Sequence, residues 1–541
     1  MAAQIAQIAQ AIPIKNPGGK TFSRAEVAKH NKKGDLWLVV DTAVYNLSKF
    51  PHPGGEGVLY DVTVAGKDAT EVFFGLHRAS VLEKYTRYII GTIEGEKPQI
   101  ILPQPATLSP VPFAEPRYHN PYYSESHRKL QKEMRYFIDT FVMAEAAAHE
   151  LSDKRPSLEL IKKMGTPEWH MHAMRMGPGR HLHGLTLPSG LKGEEFDYFH
   201  ELVITQEVAR LGARGYSDGL QGGMIIGLPP VMNFGSPELR KKIVGPVIAG
   251  EKFISLAISE AFAGSDVAGL RCTATKTEDG KHFIINGTKK WITSRCFSNR
   301  ESPSKANGLH IDGHFSDYFT VGCKTDKGLT VFLVERDDTV ETKLIKTSYS
   351  TSAGTAYIVF DNTKVPVGNM LGQENKGLLV ILSNFNHERW TMCCGAARGA
   401  RSVAEECFKW AHQRKVFGKP LIEQSVIREK FAKMFSMIES GQAWLEQITY
   451  QMTKMDYKTQ SDLLAGSIAL LKMQLTRNLH DIADSAVHIF GGRGITKGGM
   501  GGRVELLQRT YKFDAILGGT EEVLGDLFVR QASRKMPKAV L

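Results

Sequence analysis

The chain is poor in cysteine, with six in 541 residues. That is too few for a disulfide-built scaffold and fits a reducing compartment. It also lacks any uncharged apolar run of eighteen residues, so no segment is expected to cross a bilayer as a helix. The first residues, MAAQIAQIAQAI, contain no Lys or Arg, unlike a secretory signal or an Arg-rich presequence. The last, KMPKAVL, carry no clear peroxisomal address. No block of Lys and Arg interleaved with aromatics is present, which argues against nucleic-acid binding despite a net charge of +11. A surplus of cations spread along the chain suits an acidic small molecule or cofactor instead. The expectation is a soluble intracellular protein, with cytoplasm or peroxisome favoured and mitochondrion still open.

What is present divides the chain. The stretch KPQIILPQPATLSPVPFAEP (97–116) holds six prolines and predicts a semi-rigid linker, with the following body beginning near 125. Before the linker lies a small module, residues 20–96. After it, 125–255 reads as helices, for example the amphipathic FDYFHELVITQEVARLG (196–212). Residues 256–365 carry strand signals such as HFIINGTKKWIT and LTVFLVER, and 366–541 returns to long helical runs. The expected architecture is multidomain α+β, with a small barrel or sandwich between helical domains.

The small module contains His52, followed by Pro53, Gly54 and Gly55, and a second histidine, His77. The Pro-Gly-Gly turn would present one imidazole at a fixed angle. Apolar residues between the two histidines would line a flat pocket, and two neutral imidazoles across it are suitable axial ligands for haem iron. With LWLVVDTAVYNLSKFPHPGG, AGKDATEVF and IIGTIEG around them, residues 20–96 resemble cytochrome b5. The resemblance implies a b-type haem held by His52 and His77, with no open iron position, passing single electrons.

In the large body, LAISEAFAGSDVAG (256–269), KKWIT (289–293), RKVFGKPLIEQ (414–424) and HIFGGRGIT (488–496) suit close approach to a planar polar cofactor and its phosphates. In this order, over residues 125–541, they resemble the acyl-CoA dehydrogenase family. The resemblance implies a helical domain, a β-barrel-like domain and a C-terminal four-helix bundle, assembled as a tetramer or dimer. It implies that Leu256, Ile258, Ser259, Trp291 and Thr293 hold the flavin ring of FAD, and that Ser265 lies near the CoA phosphates. Arg414, Phe417, Gln424, Gly491 and Gly492 would reach a neighbouring subunit's FAD. Thr520 and Glu522 would contact FAD after the catalytic loop. His488 stands where many members have Gln.

The chemistry so implied oxidises an acyl-CoA to its 2,3-enoyl-CoA, and needs a base for the α-proton. Many members carry a Glu directly before the Gly-Thr of the loop that reads DAILGGTEEV (514–523) here. This chain has Gly518 in that place, which offers only its backbone N–H, assigned to the thioester oxygen. Isovaleryl- and long-chain-type members place the Glu on an earlier helix, just before an Arg. NFNHERWTMCCGAARG (384–399) supplies Glu388 and Arg389 there. Leu378, Ile381, Leu382, Phe385, Met392, Ala396 and Gly399 follow helical spacing, and Glu388 falls on the same stripe, where burial would raise its pKa. Glu388 is the expected base, with Arg389 on the substrate side; a buried ion pair with Arg389 or His387 is the alternative. Cys393 and Cys394, on the same run, are expected to pack the core.

Expected partners are the acyl-CoA, a second copy of the chain, and an electron-transfer flavoprotein or other redox partner, with the fused haem as internal acceptor. The competing readings are an oxidase that passes electrons to oxygen, and a catalytically silent acyl-CoA-binding or electron-carrier protein. Two segments invite other interpretations. His170, His172, His181 and His183 fit no common closed zinc site, and their segment reads as a surface or entrance loop. Residues 294–317 read as an exposed loop.

Overall fold

Five short strands, β1 (Thr21–Phe22), β2 (Asn31–Lys32), β3 (Asp35–Val40), β4 (Ala43–Asn46) and β5 (Ile89–Ile93), form the N-terminal sheet. Their order is β1-β5-β4-β3-β2. Strand β3, DLWLVV, buries residues on both faces: Leu36, Leu38 and Val40 face one core, Val39 another with Val44 and Ile93. A strand covered on both sides needs this near-continuous apolar run. A short helix, α1 (Thr70–Leu76), follows, and the backbone turns extended at His77.

The computed structural model describes residues 19–77, 80–98, 119–293 and 316–536. The proline-rich stretch and residues 294–315 lie largely or wholly outside them, so the linker and exposed-loop expectations have no structural counterpart. The described chain forms two compact units. One joins the N-terminal domain to 405–432 and 489–502; the other comprises the rest of the body.

In the larger unit, the first helices pack around Leu130, Met134, Phe137, Trp169 and Tyr216. They include α2 (Tyr198–Ala209). The expectation of a surface loop at the four histidines is corrected here. Trp169, Met171, His172 and Met174 are buried. His172 Nε2 donates to the Ile161 carbonyl at 2.9 Å and His181 Nε2 to that of Ala173 at 3.0 Å. Polar letters disguised a core segment because each buried imidazole closes its hydrogen bond on the backbone.

Eight strands form the central sheet: β6 (Ile254–Ala257), β7 (Thr273–Lys276), β8 (His282–Thr293), β9 (Tyr318–Thr325), β10 (Gly328–Glu335), β11 (Val340–Leu344), β12 (Thr355–Pro366) and β13 (Met370–Leu371). The order is β11-β12-β8-β7-β9-β10-β13, with β6 beside β9. Phe283, Phe319, Phe332 and Phe360 fill its core. Pairing of β8 with β12 slips between Lys289 and Ile292. Trp291 sits in that bulge with φ +59°.

The C-terminal helices include α3 (Gly377–Ser383), α4 (Phe385–Gln413), α5 (Ser425–Lys454), α6 (Ala465–Phe490), α7 (Gly502–Ile516) and α8 (Glu521–Lys535). The helical run expected to continue from Leu378 through Gly399 breaks at Asn384. Val380 and Ile381 are buried, whereas Leu378 and Leu382 are exposed. The break resets the helical phase, so a stripe drawn through it does not stay on one face. Beyond it the stripe holds, and Cys393 and Cys394 are fully buried free thiols.

Candidate functional site

A cavity of about 170 Å³ runs along α4. Glu388, Thr391, Met392, Gly395, Ala396 and Gly399 line it, one face over about three turns. Opposite lie Arg175, Thr205, Arg214, Asp218 and Gln221, with Thr293 from β8 and Asp514 and Leu517 from the C-terminal segment.

Glu388 is 8% exposed. Burial pushes its carboxyl pKa up to about 7, against the opposing pull of a hydrogen bond from Asn384. Asn384 Nδ2 donates to Glu388 Oε1 at 3.0 Å and also reaches the Ile225 carbonyl. The helix break thus positions the donor that holds the carboxylate. Neither His387 nor Arg389, the residues flanking Glu388, pairs with it. His387 Nε2 lies 2.9 Å from a Glu201 carboxylate oxygen. Arg389 Nε donates to the Gly518 carbonyl at 2.8 Å, with its guanidinium over the Phe385 ring.

That contact ties Glu388's helix to the turn 517–520. Gly518 and Gly519 have φ of +69° and +109°. The positive φ at Gly518 favours glycine, and a Cβ there would come within 3.1 Å of Met392 Sδ and press on that side chain. Lys472 Nζ donates to the carbonyls of Ala515 (3.1 Å) and Gly519 (2.8 Å). Burial lowers the Lys472 pKa to about 8. Two buried cations therefore pin adjacent carbonyls of one turn. Thr520 caps α8, Glu521 is buried against Arg477 at 3.1 Å, and Glu522 is exposed.

Sequence reasoning missed Lys472, the buried Arg175, and two ionic groups. Arg214 binds Asp218 (2.7 Å) and Asp514 (2.9 Å). Fully buried Lys289 binds Glu260 (2.8 Å) and the carbonyls of Ile258 and Gly322. A charged letter inside an apolar helical stripe, as in IALLKMQL, was the available signal.

Of the residues expected on the flavin side, Thr293 lines the cavity with Glu388. Trp291 is half exposed, raised from the sheet by its bulge. Leu256 within β6 and Ile258 just after it pack in the core, and the Ser259 carbonyl accepts from Lys290 N at 2.9 Å. Ser265 is exposed. His488 is exposed near the end of α6. Arg414, Phe417, Gln424, Gly491 and Gly492 fall in the unit that contains the N-terminal domain. Phe417 is 95% exposed at a hairpin tip with φ +52°.

In the N-terminal domain, His52 and His77 lie with ring centroids 5.8 Å apart. They line an apolar cavity of about 380 Å³ with Leu38, Leu59, Phe73 and Leu82. His77 Nδ1 is buried with no hydrogen-bond partner. Among the described residues, the one group of three His or acidic side chains close enough for a metal is His127, Asp197 and His200. Asp197 Oδ1 already accepts from His127 Nε2 and from the N–H groups of Phe199 and His200, and the Asp197 N–H donates to His200 Nδ1. It is a saturated cap of α2.

Residues 124–251 match "Acyl-CoA dehydrogenase, N-terminal domain" and 375–533 match "Acyl-CoA dehydrogenase, C-terminal domain". Residues 23–94 match "Cytochrome b5-like Heme/Steroid binding domain". The acyl-CoA dehydrogenase apdG of Emericella nidulans is 36% identical over 439 residues, covering 79% of this chain and 96% of its own length. The chain belongs to the acyl-CoA dehydrogenase family. A mitochondrial isovaleryl-CoA dehydrogenase of Oryza sativa subsp. japonica is 27% identical, covering 74% of this chain and 90% of its own. The butyryl-CoA dehydrogenase structure from Megasphaera elsdenii has a TM-score of 0.64 at 22% identity, covering 77% of this chain and all of that one. At that identity the likeness establishes the fold.

The protein is thus a fusion of a cytochrome b5-like domain with an acyl-CoA dehydrogenase, an enzyme of FAD-dependent acyl-CoA dehydrogenase chemistry. The helical domain, β domain and helical bundle follow the expected architecture. The residues fit both groups the families imply. Trp291 and Thr293 offer an open indole and a hydroxyl beside the cavity. The apolar slot with two facing imidazoles and an orphaned Nδ1 suits a planar macrocycle with two axial nitrogens.

Proposed function

We propose that the enzyme removes the α-proton of an acyl-CoA thioester with Glu388, yielding the 2,3-enoyl-CoA. FAD, when bound, supplies the hydride acceptor, and a haem, when bound between His52 and His77, supplies a one-electron acceptor. The observation that carries the reading is a buried carboxylate with pKa near 7, opening into the cavity that Thr293 also lines. A base with that pKa is half ionised at neutral pH and strong enough to take a proton whose acidity the thioester has raised.

The other residues have distinct tasks. Asn384 orients the Glu388 carboxylate and stabilises its charged form. Gly518 offers its amide to the thioester oxygen, where negative charge grows, and Arg389 and Lys472 fix the turn that carries it. Leu256, Ile258, Ser259, Trp291 and Thr293 hold the flavin ring; Thr520, Glu522 and His488 contact FAD at its edge. Arg414, Phe417, Gln424, Gly491 and Gly492 serve the FAD of a second copy. Ser265 takes the CoA phosphates.

Glu388→Gln keeps the shape and removes the basicity. It is expected to slow flavin bleaching by an acyl-CoA about 10²–10⁴-fold, a general base's usual share. Undiminished bleaching would place the base elsewhere.

A further inference from the structure

The cavity beside Glu388 contains a cation that the reaction does not use. Arg175 lines it and is 6% exposed. Among the described residues its guanidinium has no hydrogen-bond or ion-pair partner, and Nε is fully buried. Burial lowers its pKa, which expresses the cost of holding that charge out of water. The acids nearby are committed elsewhere. Asp218 and Asp514 are both taken by Arg214, and the Glu201 carboxylate, whose field reaches Arg175, is engaged by His387.

Arg175 and Glu388 line the same cavity, so base and cation both face the space into which an acyl chain would extend from its α-carbon. Gln221 lines the same cavity, and its Oε1 is likewise buried without a partner. His172 Nε2 donates to a carbonyl, so its Nδ1 is an acceptor and the Gln221 amide must donate to it, leaving Oε1 as an acceptor. The cavity resembles in size an engineered one of about 150 Å³ that admits benzene, so the group it holds is small.

A buried guanidinium with no acid in contact is expensive, and a ligand carboxylate is its natural complement. We propose that this cavity selects acyl-CoA thioesters whose short acyl chain ends in a carboxylate, and that Arg175 binds that carboxylate. Two guanidinium N–H groups serve a bidentate carboxylate, and others remain for an acceptor such as Gln221 Oε1. The inference rests on the acyl-CoA reading of the cavity and adds the class of acyl group.

The test uses the full-length holoenzyme and the mono-CoA thioesters of glutaric, adipic, pimelic and suberic acids. Each is paired with a neutral counterpart in which isopropyl replaces the terminal carboxylate. For the best pair, flavin bleaching should favour the carboxylated thioester by on the order of 10²-fold in kcat/KM. Arg175→Met should abolish that preference while leaving the neutral substrate within about threefold, and Arg175→Lys should restore part of it. Calorimetric titration of the same thioesters into Glu388→Gln enzyme reads the discrimination as binding, without turnover. If neutral thioesters react as well as carboxylated ones and Arg175→Met changes both alike, the carboxylate site is overturned while the dehydrogenase reading stands. If no thioester bleaches the flavin, the dehydrogenase reading fails, and the calorimetric preference alone decides for or against Arg175.

Discussion

If Glu388 is the base, as proposed, its one pKa couples reactivity to stability. In the unfolded chain its carboxyl titrates near 4.5; in the fold, near 7. Between those values the folded state binds more protons, so this residue's contribution to stability falls as pH rises. The cost is complete above about pH 7 and amounts to about 3 kcal/mol. Glu388→Gln should therefore gain about that much at pH 8 and almost nothing at pH 4, measured by denaturant unfolding at both values. Activity moves oppositely: kcat/KM should rise with pH through a midpoint near 7. Asn384→Ala removes a donor that favours the charged form, so that midpoint should shift upward by about one unit. An unchanged midpoint would mean that Asn384 does not tune the base. Gly518→Ala forces a Cβ onto φ +69° against Met392. It should cost about 1–2 kcal/mol from conformation alone and lower kcat through the displaced turn.

At the scale of elements, helix ends do more than the helices' interiors. Helix α1 is too short to be stable alone, and its C-terminal carbonyls lead directly to His77. Gln413, at the end of α4, donates to the carbonyls of Phe74 and His77, and Arg493 Nη2 donates to that of Gly75 at 2.8 Å. Three late carbonyls are thereby satisfied by side chains from the bundle helices' ends. Gln413→Ala and Arg493→Met should each weaken the domain by about 1 kcal/mol. The check is a lower midpoint on heating for release of the proposed haem. Asn384 plays the complementary part in the body, where a one-residue break between α3 and α4 supports the Glu388 carboxylate.

For the whole molecule, fusion makes a specific kinetic prediction. Mixed with acyl-CoA under anaerobic conditions, the full chain should show flavin bleaching followed by growth of the reduced haem bands. His77→Ala should retain the first phase and lose the second. Bleaching without haem reduction in the intact chain would remove the internal relay, and stoichiometric peroxide in air would identify an oxidase. The net charge of +11 bears on substrate capture. Apparent affinity for the CoA thioester should weaken as ionic strength rises past physiological values, where the screening length is about 8 Å. No helix among the described residues is long and apolar enough to cross a membrane.

Local patterns were enough to read the order of helical and strand-rich segments, to find His52 and His77 in one small module and to put Glu388 on a helix, because turn chemistry, helical spacing and motif order are written in neighbouring residues. Tertiary structure decided what those residues face. It broke the stripe at Asn384, buried the histidine-rich segment, and drew Arg389 and Lys472 onto carbonyls of the turn near Gly518 rather than onto acids. It also left Arg175 in the cavity without a partner. Such outcomes depend on which distant groups share a low-dielectric space, and whether a buried charge is paired is a property of that space, not of the residue's neighbours in the chain.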